Sequence, residues 1–566
     1  MHIKIYAKMQ RLKEKYQNWF YFWLFLSVVT AVLFSFSGLK IALKSPLIIQ
    51  DDARQYLFWL QQFQDRDLFR NDLIANYFQS VTPVGFSSLY HLIAGLNIDI
   101  FLFNKLSTLI LGVATSIYCF LVCVTIFPVP FAGFVSSLLL NQNLWMVDDL
   151  SSGTPRAYIY VLLLAFIYYL LKRNLFLSLL AIALQGLFYP QAVLISVFLL
   201  SIRILFNKEN NKNQKIELLG LFFGIIILVI YNFKTSNFAP VITAKEAKLL
   251  PEFLPGGRSA FFSDNWLKFW LTDRRSGFFP IEWQYSLMCS YGISLWWFCK
   301  NPERFPLVKK INPNIKILLV LFLASVCLFF LAHLFLFKLH LPGRYTHHTI
   351  RIIIALIDGI TIALIGSKLW SWKNKWGKQK YIKLTISILL LGALIYPTYA
   401  VQSYPERLGY VQGKSPELYQ FLQQQPKNSV IATLSAEADF IPSLAARSVL
   451  VAEEYSIPYH QKYYQQLRRQ TKDLITAQYS SNKYAIAKIL KNYNVTLWLI
   501  ERNAFTIKYL QNNQWLQQYQ PETQLAISLL KDHQKPLIEK LSDRCKLLDT
   551  NSYIILDTNC LLVFLQ

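Results

Sequence analysis

The strongest constraint on this chain is a recurring unit, in which an apolar run of about 20 residues is followed by a short segment rich in lysine and arginine. A run of that length hides its own backbone polar groups as a helix, and a chain built from many such runs folds only as a polytopic membrane protein. The length rule puts about eleven spans near 19–39, 99–127, 129–147, 157–171, 175–189, 191–206, 217–233, 281–299, 316–337, 350–366 and 383–400. The third, fifth and eighth are short or interrupted by proline, asparagine and glutamine. Hydrophobic content of 54% and aromatic content of 16% over 566 residues argue against a set of soluble domains of the same length.

The formal net charge of +25 is topological. Basic residues crowd into "MHIKIYAKMQRLKEKYQ" at the start, "LKRN" at 171, "NKENNKNQK" at 207, "KNPERFPLVKK" at 300 and "SKLWSWKNKWGKQKYIK" at 367. With the N-terminus cytoplasmic, all of these loops fall inside a plasma (inner) membrane, as the positive-inside bias requires. No basic stripe interleaved with aromatics occurs elsewhere, which excludes nucleic acid as a partner. The first apolar run is followed by no small-residue cleavage site and reads as a retained helix. The opposite, outer face then receives 40–98, "DDLSSGTPR" at 148, "FYPQ" at 188, the loop 234–280, "LHLPGRYTHH" at 339 and everything after 400. These polar, irregular segments are where an active site belongs.

After residue 400 the pattern becomes that of a soluble domain, 401–566, against a transmembrane domain of 1–400. "NSVIATL" and "RSVLVAEEY" read as strands, "SAEADFIPSLAA" between them as a short helix and 459–480 as a longer one. "KYAIAKILKNYNVTLWLIER" repeats the helix-to-strand order and "YIILDTNCLLVFLQ" closes on strand-like residues. The order implies a small α/β domain with a partly parallel sheet. None of the seven cysteines has metal-ligand spacing; Cys545 and Cys560 are read as free thiols, with a disulfide as the alternative in an oxidising compartment.

"IIQDDARQYLFWLQQF", residues 48–63, places Asp51 and Asp52 just outside the first helix. Asp51 as the N-cap of a helix from Asp52 to Phe63 explains one carboxylate. Capping leaves a second carboxylate at the bilayer surface unexplained, and one of the pair, with Asp51 the slightly favoured member, suits a base that takes a proton from a hydroxyl, or the two a ligand to a divalent cation. An N-in first helix, a large first outer loop opening on an acidic pair, many further spans and an outer C-terminal domain resemble the GT-C superfamily of integral-membrane glycosyltransferases. "LFRNDLIANYFQSVTPVGFSSLYHLIAGL" is similar to that family's surface-lying helices in the same loop. The resemblance implies transfer of a sugar from a polyprenyl-phosphate carrier to a glycan, lipid or protein acceptor, with a first-loop aspartate as base. It leaves open whether Asp51 and Asp52 also hold a divalent cation, Mg2+ or Mn2+.

A departing phosphate calls for cations at the outer surface, and arginine grips it with two parallel hydrogen bonds. Arg344 follows the Pro342–Gly343 break and is joined by Tyr345, His347 and His348, although an interfacial anchor and a pair of surface histidines are the plain alternatives. Arg258, Arg156, Arg274 and Arg275 are further candidates. Asp148 and Asp149 precede the turn-forming "LSSGTP" and serve either as site residues or as loop caps. Gln191 either lines a pocket or belongs to a plain turn, and Glu437 and Asp439 read as a solvated helix. The rival class is a transporter or flippase of a lipid-linked or polysaccharide substrate. Against it stand the scarcity of charges within spans, Asp358 excepted, and the lack of repeated halves.

Overall fold

The computed structural model describes residues 2–206, 211–233, 237–280, 292–371, 378–403 and 405–565. Helices occupy the expected apolar runs. Among the described residues six are long and apolar enough to cross a membrane: Tyr16–Ala42, Ile100–Ile126, Gln214–Phe233, Pro313–Leu334, Gly343–Ser371 and Tyr381–Tyr399. Pro155–Leu171, Leu175–Phe188 and Gln191–Phe206 are apolar but shorter. Pro130–Leu144 fills the third expected run, and most of 281–299 lies outside the described residues.

Local chemistry explains where the helices begin. Asp99 Oδ1 accepts from Leu102 N at 2.6 Å and Asn174 Oδ1 from Leu177 N at 3.0 Å, so each side chain caps the helix it precedes. Pro130 starts Pro130–Leu144 in the first turn, where its missing N–H costs nothing. The helices His2–Ala42, Ile100–Ile126, Pro130–Leu144 and Gly343–Ser371 form one packed group, and those between Ile159 and Phe233 form a second. Lys316–Leu334 joins the two groups, packing on both Gln191–Phe206 and Gly343–Ser371. At the tightest crossing a Cβ on Gly359 would meet Ser136 Oγ at 2.0 Å, so only glycine lets these two backbones approach. Asp358 beside it is 1% exposed.

Among the described residues seven strands make two sheets: β1 Ile48–Gln50, β2 Tyr410–Gln412, β3 Val430–Ala432, β4 Ser448–Val449, β5 Leu497–Glu501, β6 Lys546–Asp549 and β7 Tyr553–Asp557. β1 and β2 pair antiparallel, Ile49 opposite Val411, and fasten the first outer loop to the segment after residue 400. The others run in the order β4-β3-β5-β7-β6. β3 is parallel to both β4 and β5, whereas β7 is antiparallel to β5 and β6, so the sheet is partly parallel as the alternating pattern implies. The closing residues differ from expectation: Thr558–Leu565 is a helix, because "LLVFL" suits either element and its apolar face finds Lys483–Asn492 to pack on. Cys545 and Cys560 also differ, forming a disulfide with Cα atoms 5.5 Å apart.

A bond of that kind persists in oxidising compartments, which favours the outer placement proposed for this region. Reporter fusions at residue 210 and at the C-terminus are expected to score on opposite sides of the membrane. Both on one side would overturn the topology and with it the side assigned to the site.

Candidate active site

The acidic pair sits on the helix Asp51–Leu57. Gln50, not Asp51, is its N-cap, with Gln50 Oε1 accepting from Ala53 N at 3.1 Å. Both aspartates are therefore already helical, and the turn of about 100° between neighbours sends them in different directions. Asp51 pairs with Arg54 and turns towards Glu454 and Asp439. Asp52 pairs with Arg156, at the start of Pro155–Leu171.

Arg156 leads into a dense charged cluster. Its Nε lies 3.0 Å from Asp149 Oδ1 and its Nη2 3.4 Å from Asp148 Oδ1. Arg274 Nη2 reaches both oxygens of Asp148. Asp149 also faces Arg351 Nη1 at 2.9 Å, the Tyr160 hydroxyl at 2.8 Å, Arg344 Nη1 at 3.4 Å and His348 Nδ1 at 3.4 Å. Tyr160 donates to Asp149, so His348 in its Nδ1–H tautomer donates to the Tyr160 oxygen at 2.9 Å. Burial alone would raise the Asp149 carboxyl, but Arg156, His348 and Arg351 hold it well below the usual carboxylate range. Asp148 is held low in the same way against its burial, by Arg156 and Arg274.

Asp52, Asp148 and Asp149 thus meet Arg156, Arg274, Arg344 and Arg351, three negative charges against four positive. A cavity of about 20 Å³ opens among Val147, Asp148, Asp149, Arg274, Arg344, His347, His348 and Arg351. That is room for about one water, and Arg274, with 58% of its side chain exposed, forms its outer wall. Arg344 is the least committed cation: the one polar partner of its guanidinium among the described residues is Asp149 at 3.4 Å, so most of its five donors are left for an anion. A divalent cation does not fit this donor set. Each carboxylate is turned to an arginine, the sum is positive, and among the described residues no three His, Cys, Asp or Glu side chains are placed to hold a metal ion.

The segment after residue 400 reaches the same place. The Gly409 carbonyl accepts from Asp51 N at 2.8 Å, and Ser151 Oγ donates to Leu408 O at 2.8 Å. A Cβ on Gly409 would meet Gln50 Nε2 at 2.8 Å and Asp148 Cβ at 3.3 Å; its φ of +69° is a second reason for glycine.

Several sequence candidates lie elsewhere. Arg258 pairs with Glu454 at 2.8 Å and donates to the carbonyls of Glu453 and Glu454, 195 residues and more along the chain. Tyr345 is 1% exposed and its hydroxyl donates to Leu339 O at 2.6 Å, closing the turn before its own helix. Gln191 is half-buried at the start of Gln191–Phe206 and does not line the cavity. His347 and His348 are not surface residues, at 6% and 1% exposure: the helix begins at Gly343 and turns them into the bundle, His347 Nε2 donating to Gly277 O at 3.0 Å. Glu437 and Asp439 are buried rather than solvated. Arg351 and Tyr160 escaped sequence reasoning, although a signal was present. Arg351 falls one helical turn after His347 and His348 and two after Arg344, and Tyr160 one turn after Arg156.

In chain geometry the protein is similar to the oligosaccharyltransferase AglB of Archaeoglobus fulgidus, solved with an inhibitory peptide and a dolichol-phosphate. The alignment has a TM-score of 0.52 at 12% identity and covers 88% of this chain and 72% of that one. The chain thus shares its fold with that archaeal membrane enzyme. The apo form of the same archaeal enzyme aligns to this chain with a TM-score of 0.50 at 12% identity, over 87% of this chain and 72% of that one. A mycobacterial arabinofuranosyltransferase, AftD, aligns less closely, with a TM-score of 0.47 at 13% identity, over 85% of this chain and 36% of that one. No protein-family model matches the chain, and no curated protein is similar to it in sequence. The likeness rests on chain geometry alone.

Proposed function

We propose that the chain is a glycosyltransferase moving a sugar from a polyprenyl-phosphate carrier to an acceptor at the outer face of the membrane. The observation that carries this reading is Arg344, half-buried at the start of the Gly343–Ser371 helix and lining the cavity. Arg351 and Arg274 stand beside it. A lipid-linked phosphate is an anion that arrives along the bilayer, and the AglB structure with dolichol-phosphate makes such a donor a natural occupant. Residues 1–400 would then supply the transmembrane domain and 401–566 an extracytoplasmic α/β domain closing over it.

In this mechanism Asp52, with 30% of its side chain exposed, takes the proton from the acceptor hydroxyl. The freed oxygen attacks the anomeric carbon in line, the bond from that carbon to the phosphate oxygen breaks, and configuration inverts. The leaving phosphate gathers negative charge, which Arg344 and Arg351 meet from positions set beforehand. Asp149 is the counter-charge that lets these arginines stand together in a buried place. Asp51 has no part in the chemistry.

Arg344→Lys tests the phosphate contact, since it keeps the charge and removes the two-pronged grip. Arg344→Ala is expected to cost about 2–4 kcal/mol at the transition state, and lysine a substantial part of that, read as lower kcat in a direct assay of sugar transfer. Wild-type turnover by Arg344→Ala would reduce the residue to a packing element.

A further inference from the structure

The reaction proposed above does not use the second charged cluster, which lies on the other side of the Asp51–Leu57 helix. Its centre is Glu454, 5% exposed, just beyond the carboxyl end of β4. One carboxylate oxygen accepts from Gln55 Nε2; the other accepts from Arg54 Nη2 at 3.1 Å and from Arg258 Nη2 at 2.8 Å. The Glu454 carbonyl accepts from Gln55 Nε2 at 3.2 Å and from Arg258 Nη2 at 3.3 Å. Its N–H donates to Asp439 Oδ1 at 2.8 Å, and Asp439, beyond the carboxyl end of β3, lies 3.8 Å from Arg54. The guanidinium of Arg54 also stacks 4.5 Å from the centre of the Phe440 ring.

Two neighbouring parallel strands thus present their carboxyl ends, the edge where open α/β sheets bind ligands, to a helix of the chain itself. Arg54 and Gln55 are 4% and 7% exposed and follow Asp52 by two and three residues, less than one helical turn. Movement at Glu454 is therefore movement at Asp52.

We infer that Glu454 is a positioning residue for sugar transfer: by gripping Arg54 and Gln55 it sets the helix that presents Asp52 to the acceptor. The inference rests on the glycosyltransferase reading and adds a role for the C-terminal region within it. Bulk docking does not need these contacts, because β1 pairs with β2 independently and Arg468 with Glu252 holds the 237–280 segment to Gln461–Tyr479. Release of the grip thus leaves the region attached and the Asp51–Leu57 helix loose.

The test uses the full-length protein in lipid nanodiscs, with two readouts. In Glu454→Ala, kcat is expected to fall by about 10- to 100-fold, the loss associated with a displacement of about 1 Å at a reacting group, while the KM for the lipid-linked donor stays at its wild-type value. Amide exchange across 51–57 should accelerate in the same variant. Gln55→Ala removes one donor from the opposite side and reports the same contact if Glu454→Ala does not insert. Exchanging the groups, Glu454→Gln with Gln55→Glu, restores the carboxylate–amide pair beside Arg54 and should recover kcat over Glu454→Gln alone. Faster exchange with unchanged kcat, or no recovery in the exchanged pair, would overturn the positioning role while Asp52-dependent transfer by the wild type stood. Failure of the underlying reading looks different: wild-type protein would transfer no sugar, or Asp52→Asn would transfer normally, and the positioning role would go with it.

Discussion

Asp52→Asn is expected to insert, fold and bind donor while losing sugar transfer by roughly 10²-fold or more, whereas Asp51→Asn stays near wild type. The two substitutions are chemically identical and adjacent, so only the direction in which the helix points each side chain separates them. Asp52 faces Arg156 and through it the Asp148–Asp149 cluster. Its Oδ1 has no contact among the described residues, so one oxygen is open to an incoming hydroxyl. Asparagine can hydrogen-bond there but cannot accept the proton. Asp51, with 41% of its side chain exposed, pairs with Arg54 three residues on, and Arg54 keeps Glu454 as a partner when the Asp51 charge is lost. Transfer measured on both single variants decides the matter. Equal losses would mean that the pair acts as a unit, and a loss in Asp51→Asn alone would invert the assignment.

Asp149→Ala should be the most damaging substitution to the fold. The side chain is 5% exposed and is the counter-charge shared by Arg156, Arg344 and Arg351. Without it those cations confront one another in a buried space with only Asp148 and Asp52 nearby. Breaking a buried ion pair by removing one partner commonly costs about 3–5 kcal/mol, enough to remove much of a typical margin of stability. Asp149→Asn retains the acceptor oxygen for Tyr160 and loses the charge, so it should fall between alanine and wild type. The pH dependence carries a definite sign. A carboxyl held below its ordinary value contributes stability that is present above that value and is lost as pH falls through the lowered one. The protein should accordingly tolerate mild acid at this site, and the difference in thermal midpoint between wild type and Asp149→Asn should shrink only in strong acid. A difference that shrank near neutrality would contradict the placement of the charge.

The six long helices were legible because each carries its own signal, some 20 apolar residues, which depends on no distant partner. The acidic pair and Arg344 were legible for a similar reason: a charge at the mouth of an apolar helix stands out locally. Asp149 was not. "DDLSSGTP" reads as a turn, and nothing in it announces Arg344 and Arg351, some 200 residues later. Arg258 was misplaced on the same ground, since its partner Glu454 lies 196 residues away. His347 and His348 looked like surface residues because the helix was expected to start at 350 rather than Gly343, a shift of two turns that moves both rings into the bundle. Which of two adjacent aspartates faces the cluster depends on helical phase, and that phase is set by Gln50, a cap that side-chain preference ranks below aspartate.

The central claim is that a sugar–phosphate bond is broken at the Asp52–Arg344 site, and the most direct measurement follows both halves of a doubly labelled polyprenyl-phosphate sugar. Purified protein in vesicles would receive the donor with a mixed set of hydroxyl acceptors, and the fates of sugar and carrier would be read separately. The account predicts that wild-type protein separates the labels, leaving the sugar on an acceptor with inverted configuration and the polyprenyl phosphate in the membrane, and that Asp52→Asn and Arg344→Ala do not. Movement of the intact doubly labelled donor from one leaflet to the other, with no separation of the labels, would contradict it and make the chain a carrier of such lipids.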